Sequence, residues 1–162
     1  MAKILITGGA GFIGSHIAEK LVNRGNNVIV FDNFSTGHKE NLKNIKVKTI
    51  KGDVRDLSAL KKALKGVDYV SHHAAQISVP LSIENPEETL EINAKGTLNV
   101  LIAAQENNVK KVVLASSSAV YGDTKNLPIK EKEIAKPLSP YAVSKLIGEY
   151  YCQVWSNLYG LN

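Results

Sequence analysis

Thr7-Gly8-Gly9-Ala10-Gly11-Phe12-Ile13-Gly14 follows the apolar run Ile4-Leu5-Ile6 and opens into a helix-like stretch from Ser15 to Arg24. Strand, glycine turn and helix in that order form the context in which such a turn binds a dinucleotide. Gly8 and Gly9 let the chain reverse without Cβ clashes, and Gly11 lets the backbone approach a pyrophosphate. Gly14 lets the new helix lie close to its strand. The helix start then offers unpaired N–H groups and a positive dipole end to the phosphates.

Outward from this turn, apolar runs alternate with helical patterns. Strands are predicted at Lys3–Thr7, Asn27–Phe31, Val47–Lys51, Tyr69–Ser71 and Lys111–Ala115. They are short and continuously apolar, as expected of strands covered on both faces. Between them Ile13, Ile17 and Leu21 recur every fourth residue. Leu57, Leu60 and Leu64 follow a cap at Asp56, with Gly66 ending that helix. Asn85-Pro86-Glu87-Glu88 starts a long helix, expected to run to Asn107 with Leu90, Ala94, Leu98 and Leu101 on its apolar face. A last helix is predicted from Ser139-Pro140 to about Tyr159, after an exposed loop over Tyr121–Ser139. Repeated strand–helix–strand units imply a doubly wound parallel α/β sheet with right-handed crossovers. Residues 1–162 are expected to form one domain that ends before the last strands of such a fold.

The bulk numbers narrow the function. The chain has 162 residues, 44% of them hydrophobic and 22% charged, and no apolar run near the length of a membrane span. Its start lacks the apolar segment of a signal peptide, so a cytoplasmic protein is expected. Cys152 is the single cysteine, which excludes an internal disulfide and a cysteine metal cluster. The net charge of +5 comes almost wholly from scattered lysines, without the focused basic stripe of a nucleic-acid binder. His72 and His73 are adjacent on a strand and point to opposite faces, so they cannot readily share a metal ion.

Several residues have chemistry that suits a dinucleotide site. Asp32 ends the second strand, where a carboxylate accepts from both ribose hydroxyls of an adenosine and repels a 2′-phosphate. That predicts NAD over NADP. Asp53 after the third strand can accept from an adenine amino group, with Val54 over the ring. Ala74 and Ala75 after the fourth leave room for a flat ligand. Tyr141 and Lys145 share a helix face, four residues apart. A lysine cation lowers the pKa of a neighbouring phenol, converting a poor base into a usable one. Ser116-Ser117-Ser118 follow the fifth strand and can hydrogen-bond a reacting oxygen; no acid–histidine arrangement accompanies them for nucleophilic catalysis.

Together these residues resemble the extended short-chain dehydrogenase/reductase family, in its nucleotide-sugar epimerase/dehydratase branch. The resemblance rests on Thr7–Gly14, Asp32-Asn33-Phe34-Ser35-Thr36-Gly37, Gly52-Asp53-Val54-Arg55-Asp56 and His73-Ala74-Ala75-Gln76. It continues through Asn93-Ala94-Lys95-Gly96-Thr97, Ser116–Gly122 and Tyr141-Ala142-Val143-Ser144-Lys145. It implies NAD binding by Gly8, Gly11, Phe12, Ile13, Gly14, Asp32, Asn33, Ser35, Thr36, Gly37, Asp53, Val54, Ala74, Ala75, Gln76 and Asn93, together with Tyr141 and Lys145. Asn93 is further expected to support the active-site strand. Ser117 is implied as the catalytic hydroxyl, with Ser116 and Ser118 as alternatives, Tyr141 as the base and Lys145 as its pKa partner and ribose anchor.

Within that branch the resemblance implies epimerisation at C4 of a UDP-hexose through a transient 4-keto sugar. Dehydratases of the branch carry an Asp-Glu pair after the catalytic hydroxyl, where this chain has Ser118 and Ala119. Decarboxylases and uronate epimerases are harder to separate. Family members run on for a comparable length and supply most of the nucleotide-sugar pocket there. They commonly pair through the two long helices, so a homodimer through Pro86–Asn107 and Pro140–Tyr159 is expected.

Overall fold

The computed structural model describes residues 1–162. Five parallel strands, β1 (Lys3–Thr7), β2 (Asn27–Asp32), β3 (Lys48–Lys51), β4 (Tyr69–His72) and β5 (Lys111–Leu114), form one sheet in the order β3-β2-β1-β4-β5. This is the expected doubly wound α/β arrangement. The apolar runs of the inner strands β1 and β2 are continuous because both faces are covered, whereas the edge strands β3 and β5 stay exposed or half-buried. Leu5 packs with Ile29, Phe31 and Val70 on one side, whereas Ile6 packs with Val28, Val30 and Ala18 on the other. Leu5 and Ile6 are both fully buried. From β1 the chain winds outward through β2 and β3, then returns to the far side of β1 as β4. A crevice therefore opens at the carboxyl ends of β1 and β4, where such sheets bind ligands.

Helix α1 (Phe12–Asn23) begins three residues before the expected start at Ser15, so Phe12 and Ile13 belong to its first turn. Ile17 and Leu21 pack on the sheet. Ile13 does not: it is 58% exposed at the mouth of the crevice. Helix α2 (Leu57–Ala63) is capped as expected, with the Asp56 carboxylate accepting from Ala59 N–H at 2.9 Å. Helix α3 (Val79–Glu84), capped by Ser78, had no legible pattern because Val79, Leu81 and Ile83 are exposed.

The long helix from Pro86 is not uniform. It comprises α4 (Pro86–Thr89), a π-helical segment (Leu90–Lys95) and α5 (Gly96–Glu106). The wider turn shifts the register on which the apolar repeat depends. Ala94 and Leu101 are buried, but Leu90 is 50% exposed. Helix α6 (Pro140–Tyr159) runs as expected to the left-handed Gly160. No helix is long and apolar enough to cross a membrane.

Candidate active site

The crevice is a cavity of about 560 Å³ at the carboxyl edge of the sheet. Its floor is the glycine turn. Gly8 has φ +67°, and a Cβ there would lie 2.6 Å from Ala74 N. A Cβ on Gly14 would lie 2.7 Å from Gly9 Cα and collide with the Gly8 carbonyl. The bare backbone of this cradle is thus required by contacts at both ends of the turn. Gly11, Phe12 and Ile13 line the cavity beside it at the amino end of α1.

At one end stands Asp32, which is 7% exposed. One carboxylate oxygen accepts from Ala10 N–H at 2.9 Å and the other from Phe34 N–H at 2.8 Å. A carboxylate has about four acceptor positions, so each oxygen keeps one for a ligand hydroxyl. Asn33, Ser35, Thr36 and Gly37 line the same end, as do Asp53 and Val54. Asp53 is fully engaged. Its oxygens accept from Arg55 N, Nε and the guanidinium at 2.8–2.9 Å and from Asn33 Nδ2 at 3.0 Å. The Arg55 guanidinium, with the amide of Arg55 and Asn33, holds this carboxyl well below the usual carboxylate range. An adenine amino group can reach Asp53 only if one of these donors gives way.

The opposite end is built by α6. Ser139 caps it, accepting from Ala142 N–H at 3.1 Å, with Pro140 in the first turn. Tyr141 in that first turn and Lys145 one turn further on both reach the cavity. Lys145 Nζ lies 5.9 Å from the Tyr141 ring centroid and donates to the Ala115 carbonyl at 3.0 Å. Lys145 is only 8% exposed, and this burial pulls its pKa down to about 8.

The serines divide. Ser116 lines the cavity and its hydroxyl donates to Glu149 on α6. Ser117 Oγ caps the short 3-10 turn Ser118–Tyr121, accepting from Ala119 N–H at 3.2 Å, and is not among the cavity-lining residues. Ala74, Ala75 and Gln76 form the wall after β4. Asn93 sits behind that wall rather than in it. Its side chain accepts from Gln76 N–H at 2.8 Å and donates to the Gln76 carbonyl at 2.9 Å.

The two histidines are engaged separately. His72 is buried between the hydroxyls of Thr7 and Thr97, and His73 pairs with Ser71 Oγ at 2.7 Å. Arg55, His73 and Glu88 are charged or polar wall residues that sequence reading missed. Arg55 could have been found from its two-residue spacing to Asp53. Glu88 could not, because it arrives from α4 across the cavity mouth.

A parallel sheet with a glycine cradle at its switch point, an acid ending β2 and a Tyr–Lys pair on the helix after β5 defines a dinucleotide-binding fold of the short-chain dehydrogenase/reductase type. The chain belongs to the NAD dependent epimerase/dehydratase family, which it matches over residues 4–162. It is 40% identical over 149 residues to a Lactobacillus helveticus UDP-glucose 4-epimerase, covering 91% of this chain and 45% of that one. A UDP-N-acetylglucosamine 4-epimerase from Methanobrevibacter ruminantium, solved with UDP-N-acetylmuramic acid, superposes with a TM-score of 0.94 at 44% identity, over 99% of this chain and 52% of that one. The UDP-glucose 4-epimerase of Thermus thermophilus, solved with NAD, gives 0.93 at 42%, over 98% and 52%. The chain therefore spans about half the length of the relatives it matches.

The residues present fit the family's cofactor. The bare glycine turn and the amino end of α1 open onto the cavity, and Asp32 keeps an acceptor position on each oxygen for a ribose diol.

Proposed function

We propose that residues 1–162 form the NAD-binding and catalytic domain of a UDP-hexose 4-epimerase. The observation that carries this is the Tyr141–Lys145 pair on α6, facing the same cavity as Asp32 and the glycine cradle. Gly8, Gly11, Phe12, Ile13 and Gly14 would hold the pyrophosphate, Asp32 and Asn33 the adenosine ribose, and Asp53 and Val54 the adenine. Ala74, Ala75, Tyr141 and Lys145 would flank the nicotinamide half. NAD, when bound, supplies a reversible oxidant for the C4 carbon of the sugar.

The chain's own part is proton handling. Tyr141 takes the proton of the C4 hydroxyl on its phenolic oxygen and later gives it back to the C4 oxygen of the rotated 4-keto sugar. The Lys145 ammonium, held by the Ala115 carbonyl, favours the ionised phenol. The serine hydroxyls after β5 hydrogen-bond the reacting oxygen: Ser117 by its match to the family motif, or Ser116, which already lines the cavity. Ser118 and Ala119 offer no acid and base for eliminating water, which favours epimerisation over dehydration.

Lys145 sets a pH limit. Its charge is lost as pH rises through about 8, so turnover is expected to fall above that pH. Two α6 residues, Ile147 and Tyr151, line an apolar groove with Leu90, Ala94 and Leu98, which supports the homodimer through these helices. UDP-galactose given to the NAD-loaded protein, supplied with the further half that its relatives carry, should yield UDP-glucose, and Tyr141→Phe should abolish the conversion. A Tyr141→Phe protein with full turnover would sink the proposal.

A further inference from the structure

Behind the cavity wall, hydrogen bonds run from the end of β1 to the catalytic helix. Thr7 Oγ1 accepts from His73 N–H and Ala74 N–H, each at 3.2 Å, and meets His72 Nδ1 at 2.6 Å. His72 Nε2 meets Thr97 Oγ1 at 3.0 Å, and that hydroxyl donates to the Asn93 carbonyl at 2.6 Å. The Asn93 amide then clasps the backbone of Gln76 and donates to Ser144 Oγ at 2.9 Å. Ser144 Oγ donates to the Tyr141 carbonyl at 2.7 Å. Thr7, His72, Asn93, Thr97 and Ser144 are each at most 4% exposed.

One proton arrangement satisfies every member. The single Thr97 hydroxyl hydrogen goes to the Asn93 carbonyl, so Thr97 must accept from His72 Nε2–H. His72 Nδ1 then accepts from the Thr7 hydroxyl. The reverse tautomer would leave the Thr7 hydrogen without an acceptor in a buried space, a costly arrangement. Burial first, then the charge of Lys145 and His73, lowers the His72 pKa to about 3, so the ring stays neutral.

We propose that Ser144 is a positioning residue, the last link of this buried chain, which fixes the first turn of α6 and hence Tyr141 against the loop following β4. The inference rests on the reading of Tyr141 as the proton acceptor and adds what holds it. Ser144 lies three residues after Tyr141 and directly before Lys145, so its hydroxyl meets Asn93 beside the two side chains that reach the cavity. Without its hydroxyl, one Asn93 amide hydrogen has no acceptor. Either Asn93 turns and releases Gln76, or α6 moves; both displace the site's two walls relative to one another.

The test compares Asn93→Ala, Ser144→Ala, Ser144→Thr and Asn93→Ala/Ser144→Ala in the NAD-loaded protein. Ser144→Ala should lower kcat about tenfold or more while KM stays within about twofold, because misplacement costs rate rather than binding. Ser144→Thr, which keeps the hydroxyl, should recover most of that loss. The double variant should be no slower than the slower single one, as for two groups acting through one contact. A silent Ser144→Ala, or losses that simply multiply in the double variant, would overturn the inference. Nitrogen NMR of the histidine rings tests the chain without turnover: His72 should be in the Nε2–H form at about pH 6. An Nδ1–H or doubly protonated ring would contradict the proposed direction. A silent Ser144→Ala beside an inactive Tyr141→Phe removes only this inference; an active Tyr141→Phe removes the functional reading with it.

Discussion

Asp32 does two jobs with one carboxylate. It binds the amides of Ala10 and Phe34, which hold the glycine turn and the β2 exit together, and it keeps acceptor positions open toward the cavity. Asp32→Ala should therefore lose NAD affinity by about 10- to 100-fold and also lower the melting temperature, since two amides lose a charged acceptor. Calorimetry and thermal melts on the same protein separate the two effects. His72 makes a different prediction. Its ring titrates near 3 in the folded chain against 6.5 for an ordinary histidine. Below the higher value the unfolded chain gains a proton that the folded chain refuses, so stability falls as pH drops through that window. For this one group the slope is at most about 1.4 kcal/mol per pH unit. His72→Gln should flatten the fall in urea unfolding between about pH 7 and pH 4.

At the scale of elements, the strands and caps were legible because each has a local cause. Continuous apolar runs marked β1 to β5 nearly to the residue, and Asp56 and Ser139 cap the helices they precede. Ser139→Ala should cost about 1 kcal/mol in denaturant unfolding by removing the acceptor for Ala142 N–H. What failed to show in the sequence depends on neighbours. The π segment at Leu90–Lys95 contains Asn93, whose side chain is shared by the Gln76 backbone and Ser144. Nothing in Leu90-Glu91-Ile92-Asn93-Ala94-Lys95 itself departs from a regular helical pattern. Helix α3 was missed because its apolar residues face outward, leaving no buried stripe to read. The site followed the same division. Glycine spacing, Asp32 and the Tyr–Lys pair were readable from sequence. The saturation of Asp53 by Arg55 and Asn33 and the capping use of Ser117 are contacts between loops, visible only once the chain is folded.

For the whole molecule, the sheet order makes one edge of the domain the binding edge, with α1 and α6 closing it from opposite ends. The proposed homodimer uses another surface, the groove between α6 and the π segment with α5. Leu90→Glu puts a charge on a half-exposed residue of that groove and should convert a dimer to a monomer by light scattering with little loss of melting temperature. An unchanged mass would rule out pairing through this face.

A pyridine dinucleotide bound along the carboxyl edge of the sheet, between Asp32 and the Tyr141–Lys145 pair, is the claim on which the rest depends. Titration calorimetry of the purified, folded chain with NAD and with NADP tests this directly. We predict one NAD bound per chain, with NADP binding weaker because Asp32 repels its 2′-phosphate. No heat with oxidised or reduced NAD, or a preference for NADP, would contradict it.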